Sequence, residues 1–130
     1  MSSLIPIQEI LQDPELGAVS FTVTRQTWKR AQGKPEFVSQ QAFSGVGCIH
    51  PAQPDELAQF PEEYRHADMI VLYSILNLSM GENFGARYTL ADQVECTGGK
   101  YRVIKVKNWL HLGYFQAWAV RISDSEAFSA

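Results

Sequence analysis

A chain of 130 residues and 14.6 kDa, 45% hydrophobic and 19% charged, has the composition of one compact folded domain and not of a disordered chain. A net charge of −3 and a pI near 5.5 speak against a general nucleic-acid binder, which carries a basic face. No apolar run approaches the roughly 20 residues that cross a bilayer, and Met1–Ile10 lacks a basic n-region, with Pro6 and Gln8 breaking its apolar residues. The expected setting is therefore cytoplasmic, where Cys48 and Cys96 stay reduced.

The first segment, Leu4–Leu11, has the spacing of one or two helical turns: Pro6 suits a first turn, and Asp13-Pro14 stops the helix. Ile7, Ile10 and Leu11 then share a face that needs something to rest on, either this domain or a neighbouring subunit. Ala18–Trp28 alternates Val19, Phe21 and Val23 with Ser20, Thr22 and Thr24, and Phe37–Ile49 follows a Gln32–Pro35 loop signal, which predicts an antiparallel hairpin. Gly45 and Gly47 inside the second strand predict a bulge or bend there. Pro51 and Pro54 end that strand, and Asp55–Phe60 suits a short helix that Pro61 closes.

Asp68–Leu78 is apolar on both alternating faces, the pattern of a central strand covered on each side. Ser79–Tyr88 reads as a long loop tipped by Phe84, an aromatic placed to anchor an interface. A three-stranded meander closes the chain: Gln93–Cys96, Tyr101–Lys107 and Tyr114–Ile122. Its first joint holds Gly98-Gly99, residues that accept the positive φ of a primed turn, and its second is the bulky loop Asn108–Gly113. Tyr114, Trp118, Val120 and Ile122 fall on one face of the last strand, and Phe115, Ala117 and Ala119 on the other. Ser123–Ala130 reads as a loose tail. The expectation is a single mainly β domain over residues 1–130, a small antiparallel β-barrel or sandwich. It carries a short N-terminal helix within an arm over residues 1–17 and a short helix between strands two and three.

Chemistry-bearing motifs are absent: there is no G-x-S-x-G, P-loop, G-x-G-x-x-G or H-E-x-x-H. Cys48, His50 and Cys96 make a weak metal set, since buried cysteine more often acts as a small hydrophobe. Glu62 and Glu63 are adjacent on a loop and do not converge, so they read as solvated charges. The densest positive stretch, Lys100, Arg102, Lys105 and Lys107, reads as a solvated strand edge or face. Without basic residues beside them, Trp109 and Trp118 suit a core or an interface better than base stacking. No catalytic, cofactor or metal residue is expected; an apolar interior would suit a small-ligand barrel as the alternative.

Three stretches stand out together: Phe21–Arg25 after the Asp13–Leu16 turn; Val46–Leu57 with Phe60-Pro61-Glu62 and Arg65; and Tyr101-Arg102-Val103 with Asn108-Trp109 and Gly113-Tyr114-Phe115. In this order they resemble a family of small structural proteins from the neck of tailed bacteriophages, called head-closure, stopper, collar or head–tail joining proteins. The similarity runs from about Leu11 to Ile122, and it departs from the family at Asn108, where Asp is usual, and at Phe60, where Leu is. The resemblance implies a non-enzymatic virion protein, assembled in the host cytoplasm, that forms a six- or twelve-fold homo-oligomeric ring. That ring would meet a portal or adaptor protein and tail proteins, let double-stranded DNA pass through its lumen without sequence-specific contact, and involve no membrane. A tail terminator or minor tail component is the neighbouring alternative. A ring needs apolar projections, and the candidates are Ile7, Ile10, Leu11, Phe84, His111, Leu112, Tyr114 and Phe115.

Overall fold

The computed structural model describes residues 18–62, 68–96, 98–123 and 125–128. The expected N-terminal helix, with Ile7, Ile10 and Leu11, lies outside the described residues, as do Glu63 and Arg65.

Eight strands form one antiparallel sheet: β1 (Ala18–Ala31), β2 (Lys34–Pro51), β3 (Met69–Ser74), β4 (Asn83–Phe84), β5 (Arg87–Thr89), β6 (Gln93–Cys96), β7 (Gly99–Trp109) and β8 (Tyr114–Arg121). The order β2-β3-β8-β7-β6-β1 closes on itself because β1 also pairs with β2, so these strands make a barrel. The fold is mainly β and antiparallel, as its turn signals and alternation predict.

The predicted hairpin is present and longer than its apolar pattern. It turns at Gln32-Gly33, both at positive φ (52° and 77°), the backbone of a primed turn. Only the lower half of β1 belongs to the barrel, where Thr22–Thr24 face Glu95–Gln93 of β6. Farther along, Thr27–Lys29 pair with Thr89–Arg87 of β5. The outer part of the β1–β2 hairpin therefore leaves the barrel as an arm, widened by β5 and β4. The stretch expected as a loop around Phe84 is this small β4–β5 hairpin.

Inside the barrel, Phe21, Val23, Ile70, Leu72, Val94, Tyr101, Val103, Ala117 and Ala119 form one apolar core. Complete burial of each aliphatic side chain here contributes on the order of 1.5–3 kcal/mol. A second core lies outside the wall, where Met69, Val71, Trp118 and Val120 meet Phe60. Phe60 follows a short helix, α1 (Pro54–Leu57), whose entry is held by the Gln53 N–H donating to Glu56 Oε1 at 3.1 Å. Its ring sits 6.1 Å from that of Trp118. β3 is thus covered on both faces, as its doubly apolar sequence requires.

Of the bulge or bend expected at Gly45 and Gly47, the bulge is absent: the register there is continuous, and the irregularity of the first hairpin falls between Thr27 and Trp28, opposite Ser39 and Phe37. Those glycines answer close packing instead: a Cβ on Gly47 would lie 2.3 Å from Tyr73 O, and one on Gly45 would lie 2.4 Å from Leu76 Cδ1. Beyond β8, Gln93 Nε2 donates to Glu126 O at 3.0 Å and Gln93 Oε1 accepts from Phe128 N at 2.7 Å.

Candidate subunit interface

The registers place the arm, the segment 75–80 and the β7–β8 connection at one end of the barrel. Among the described residues, the exposed large apolar side chains Phe37, Ile75, Met80, Phe84, Leu110 and Leu112 belong to that end, and Val19 to the other.

The β7–β8 tip is built to hold its leucines outward. Asn108 Oδ1 accepts from the Leu110 N–H at 2.8 Å, which starts a 3₁₀ turn over Leu110–Leu112. Gly113 closes it at φ 92°, with its N–H donating to Leu110 O at 2.9 Å. Leu110 and Leu112 remain 62% and 52% exposed on this hydrogen-bonded turn.

Below the tip, an ordered row of rings crosses the outer wall. Trp109 Nε1 donates to Gln116 Oε1 at 3.0 Å, and Gln116 Nε2 donates to Tyr73 Oη at 3.1 Å. The Tyr73 ring lies between His50, stacked at 5.5 Å, and Tyr114, edge-on at 5.9 Å. Burial, and after it the charge of Glu56 and the neighbouring Tyr114, raises the Tyr73 phenol pKa above its ordinary value. The strand of positive residues is less simply solvated than expected: Lys105 Nζ lies 5.3 Å from the Trp118 ring centre and 5.5 Å from that of Phe60, and Lys107 Nζ lies 5.6 Å from Trp118.

The arm is fixed at its root and near its tip. At the root, Arg25 Nε and Nη2 donate to Asp92 Oδ1 and Oδ2 at 2.8 and 2.7 Å, and the Ser79 N–H also donates to Oδ2 at 2.8 Å. The hydrogen bond to Asp92 raises the Arg25 pKa, with burial opposing it, so the guanidinium stays charged. Nearer the tip, Arg30 Nη1 donates to Gly85 O at 2.8 Å, and its guanidinium covers the Tyr88 ring at 4.6 Å. Phe84 projects beyond this clamp, 61% exposed.

The expected interface residues therefore divide. Phe84, His111 and Leu112 are exposed at the arm end, and Tyr114 is half-buried in the ring row. Phe115 is half-buried opposite Ser74, on the face of β8 that continues into Ala117 and Ala119 of the core. The sequence pattern does not single out Leu110, Phe37 or Ile75, while Met80 opens the loop that carries Phe84. Leu110 sits in the loop already marked by its bulky residues, whereas nothing in the alternation of Phe37–Ile49 says that its start lies beyond the barrel.

Among the described residues, no three of His, Cys, Asp and Glu gather as metal ligands. Cys96 belongs to the interior core, while Cys48 lies half-exposed on β2. A groove of about 210 Å³ lies on the outer wall, lined by Thr22, Thr24, Gln40, Gln93, Glu95 and Lys100 among others, and the barrel interior is filled by side chains. Neither a family model nor a curated protein matches the chain.

Proposed function

We propose that this chain is a structural component of a phage neck, a subunit of a ring between portal and tail. The observation that supports this reading is the one-ended distribution, among the described residues, of exposed apolar side chains on hydrogen-bonded supports: Leu110 and Leu112 on a closed 3₁₀ turn, Phe84 on a clamped hairpin. A soluble monomer gains nothing from holding leucines outward, whereas a docking surface needs them pre-ordered, because each side chain frozen on binding costs about 0.5–1.5 kcal/mol. The resemblance of Phe21–Arg25, Val46–Leu57 and Tyr101–Phe115 to neck proteins supplies the partner class. In this role the protein turns over no substrate and needs no cofactor; its partners are further copies of itself, a portal or adaptor, and tail proteins, within the virion.

The test is association. Purified protein mixed with the portal ring from the same genome is expected to form a stoichiometric complex by mass photometry. A chain that stays separate from portal and tail proteins under all conditions removes the reading.

A further inference from the structure

Two strands at the arm end run on past their neighbours. β2 pairs with β1 from Lys34 to Cys48, but β3 joins it only from Gly47 to Pro51. Its outer edge over residues 34–46 has no backbone partner among the described residues. β7 pairs with β6 only from Gly99 to Arg102, and the Val103 N–H then bonds to Asp92 O at 2.9 Å. Over residues 104–109 it pairs with β8 alone, so its other edge is open too among the described residues.

Open edges template pairing with another chain unless something guards them. β4 is guarded by its length of two residues. β7 carries Lys105 and Lys107 beside a register irregularity between Val103 and Lys105. On β2, Pro35 and the irregularity near Phe37 guard the arm tip alone. From Ser39 to Val46 the sequence SQQAFSGV has neither charge nor proline.

We infer that residues 39–46 of β2 accept, as an added strand, the open edge of β7 over residues 105–109 from a second copy of this chain. Edge against edge, β7 with β7 sets lysines against lysines. β2 with β2 leaves both β7 edges open. Only β2 with a neighbour's β7 closes both edges, and it sets Lys105 and Lys107 against uncharged Ser and Gln side chains. In the barrel order, β3 and β8 stand between the two strands, so one subunit presents each edge to a different neighbour. The contact is heterologous and repeats until rotation closes it. It specifies how the proposed ring would be joined and rests on that reading.

Hydrogen exchange of the full chain, followed together with sedimentation, tests the pairing. As association sets in, amides within 39–46 and 105–109 that bond to neither β1 nor β8 are expected to slow. Ala42→Lys with Ser44→Lys, both at exposed positions, is expected to weaken association at least about tenfold by facing the neighbour's lysines. Adding Lys107→Glu to that chain is expected to restore it, with near-UV circular dichroism confirming an unchanged fold. Loss without rescue overturns the pairing in favour of β2 against β2. Protection of 39–46 in the isolated monomer overturns it in favour of a cover from the chain's own residues. Rings whose 39–46 amides exchange as in the monomer overturn the strand contact and leave the ring standing. A chain that stays monomeric alone and with its portal overturns both.

Discussion

Arg25 and Asp92 meet through two parallel hydrogen bonds, Nε to Oδ1 at 2.8 Å and Nη2 to Oδ2 at 2.7 Å, across 67 residues of sequence. The pair sits where β1 leaves the barrel. Below it, β1 pairs with β6 at Thr22–Thr24; above it, β1 pairs with β5 at Thr27–Lys29. Asp92 is fully buried and its backbone extends the join, with its N–H donating to Ser79 O and its carbonyl accepting from Val103 N, both at 2.9 Å. One residue thereby ties together the arm, the segment 75–80 and β7.

Removing either partner alone is expected to be costly. Asp92→Ala leaves the guanidinium and the Ser79 N–H without their acceptor and should lower stability by about 3 kcal/mol, the low end for a broken buried pair because Arg25 reaches the rim. Arg25→Met leaves the carboxylate buried with one backbone donor. The double variant Arg25→Met/Asp92→Asn keeps that donor satisfied and removes the charge, so it should be more stable than Arg25→Met alone. Urea midpoints decide the order; a double variant that is the weaker of the two would show that the charge itself is not what the site must balance.

Alkaline stability should report Tyr73. Its phenol pKa is raised above the ordinary 10.0, chiefly by burial. From that ordinary value upward, the unfolded chain releases a proton that the folded chain retains, so unfolding draws protons off and stability falls as pH rises, levelling off once the folded phenol also ionises. Tyr73→Phe removes this contribution at the modest cost of its bond from Gln116, about 1 kcal/mol. Melting temperatures followed upward from pH 9 should show a shallower decline in the variant, and equal slopes would assign the decline to other groups.

Two glycines in β2 separate backbone crowding from side-chain crowding. Gly47 lies against the carbonyl of Tyr73, which is fixed by the β2–β3 pairing. Gly45 lies against the ends of the Leu76 and Phe21 side chains, which can turn aside. Gly47→Ala is therefore expected to cost at least about 3 kcal/mol and Gly45→Ala about 1–2 kcal/mol. Thermal unfolding of the two variants checks the order.

The barrel was legible where one face of a strand meets the core, because alternation is a direct record of that burial. Val23 between Thr22 and Thr24, and Ala117 and Ala119 between Gln116, Trp118 and Val120, placed β1 and β8 correctly. The arm was not legible. From Arg25 to Gln41 the hairpin has no interior to face, so its residues carry no period, and Gln32–Pro35 reads as a loop when only Gln32-Gly33 turn. The outer core was half legible: β3 showed that it is covered twice, but the cover, Phe60 after α1, is a long-range partner that no local pattern names. Phe115 was read with the exposed loop because it follows Gly113 closely, yet strand parity puts it on the inward face.

That parity separates two substitutions at the β7–β8 tip. Leu110→Asp with Leu112→Asp changes side chains more than half exposed on a turn held by Asn108 and Gly113, so the monomer should unfold within about 0.5 kcal/mol of the parent. Association with a portal or with further copies should be lost. Phe115→Asp instead sets a carboxylate at the core end of β8, opposite buried Ser74, and should destabilise the monomer by about 2–4 kcal/mol before any partner is added. Near-UV circular dichroism with a denaturant titration separates folding from assembly. An unfolded leucine variant would place that turn within the core, and a fully stable Phe115→Asp would free that ring for the interface.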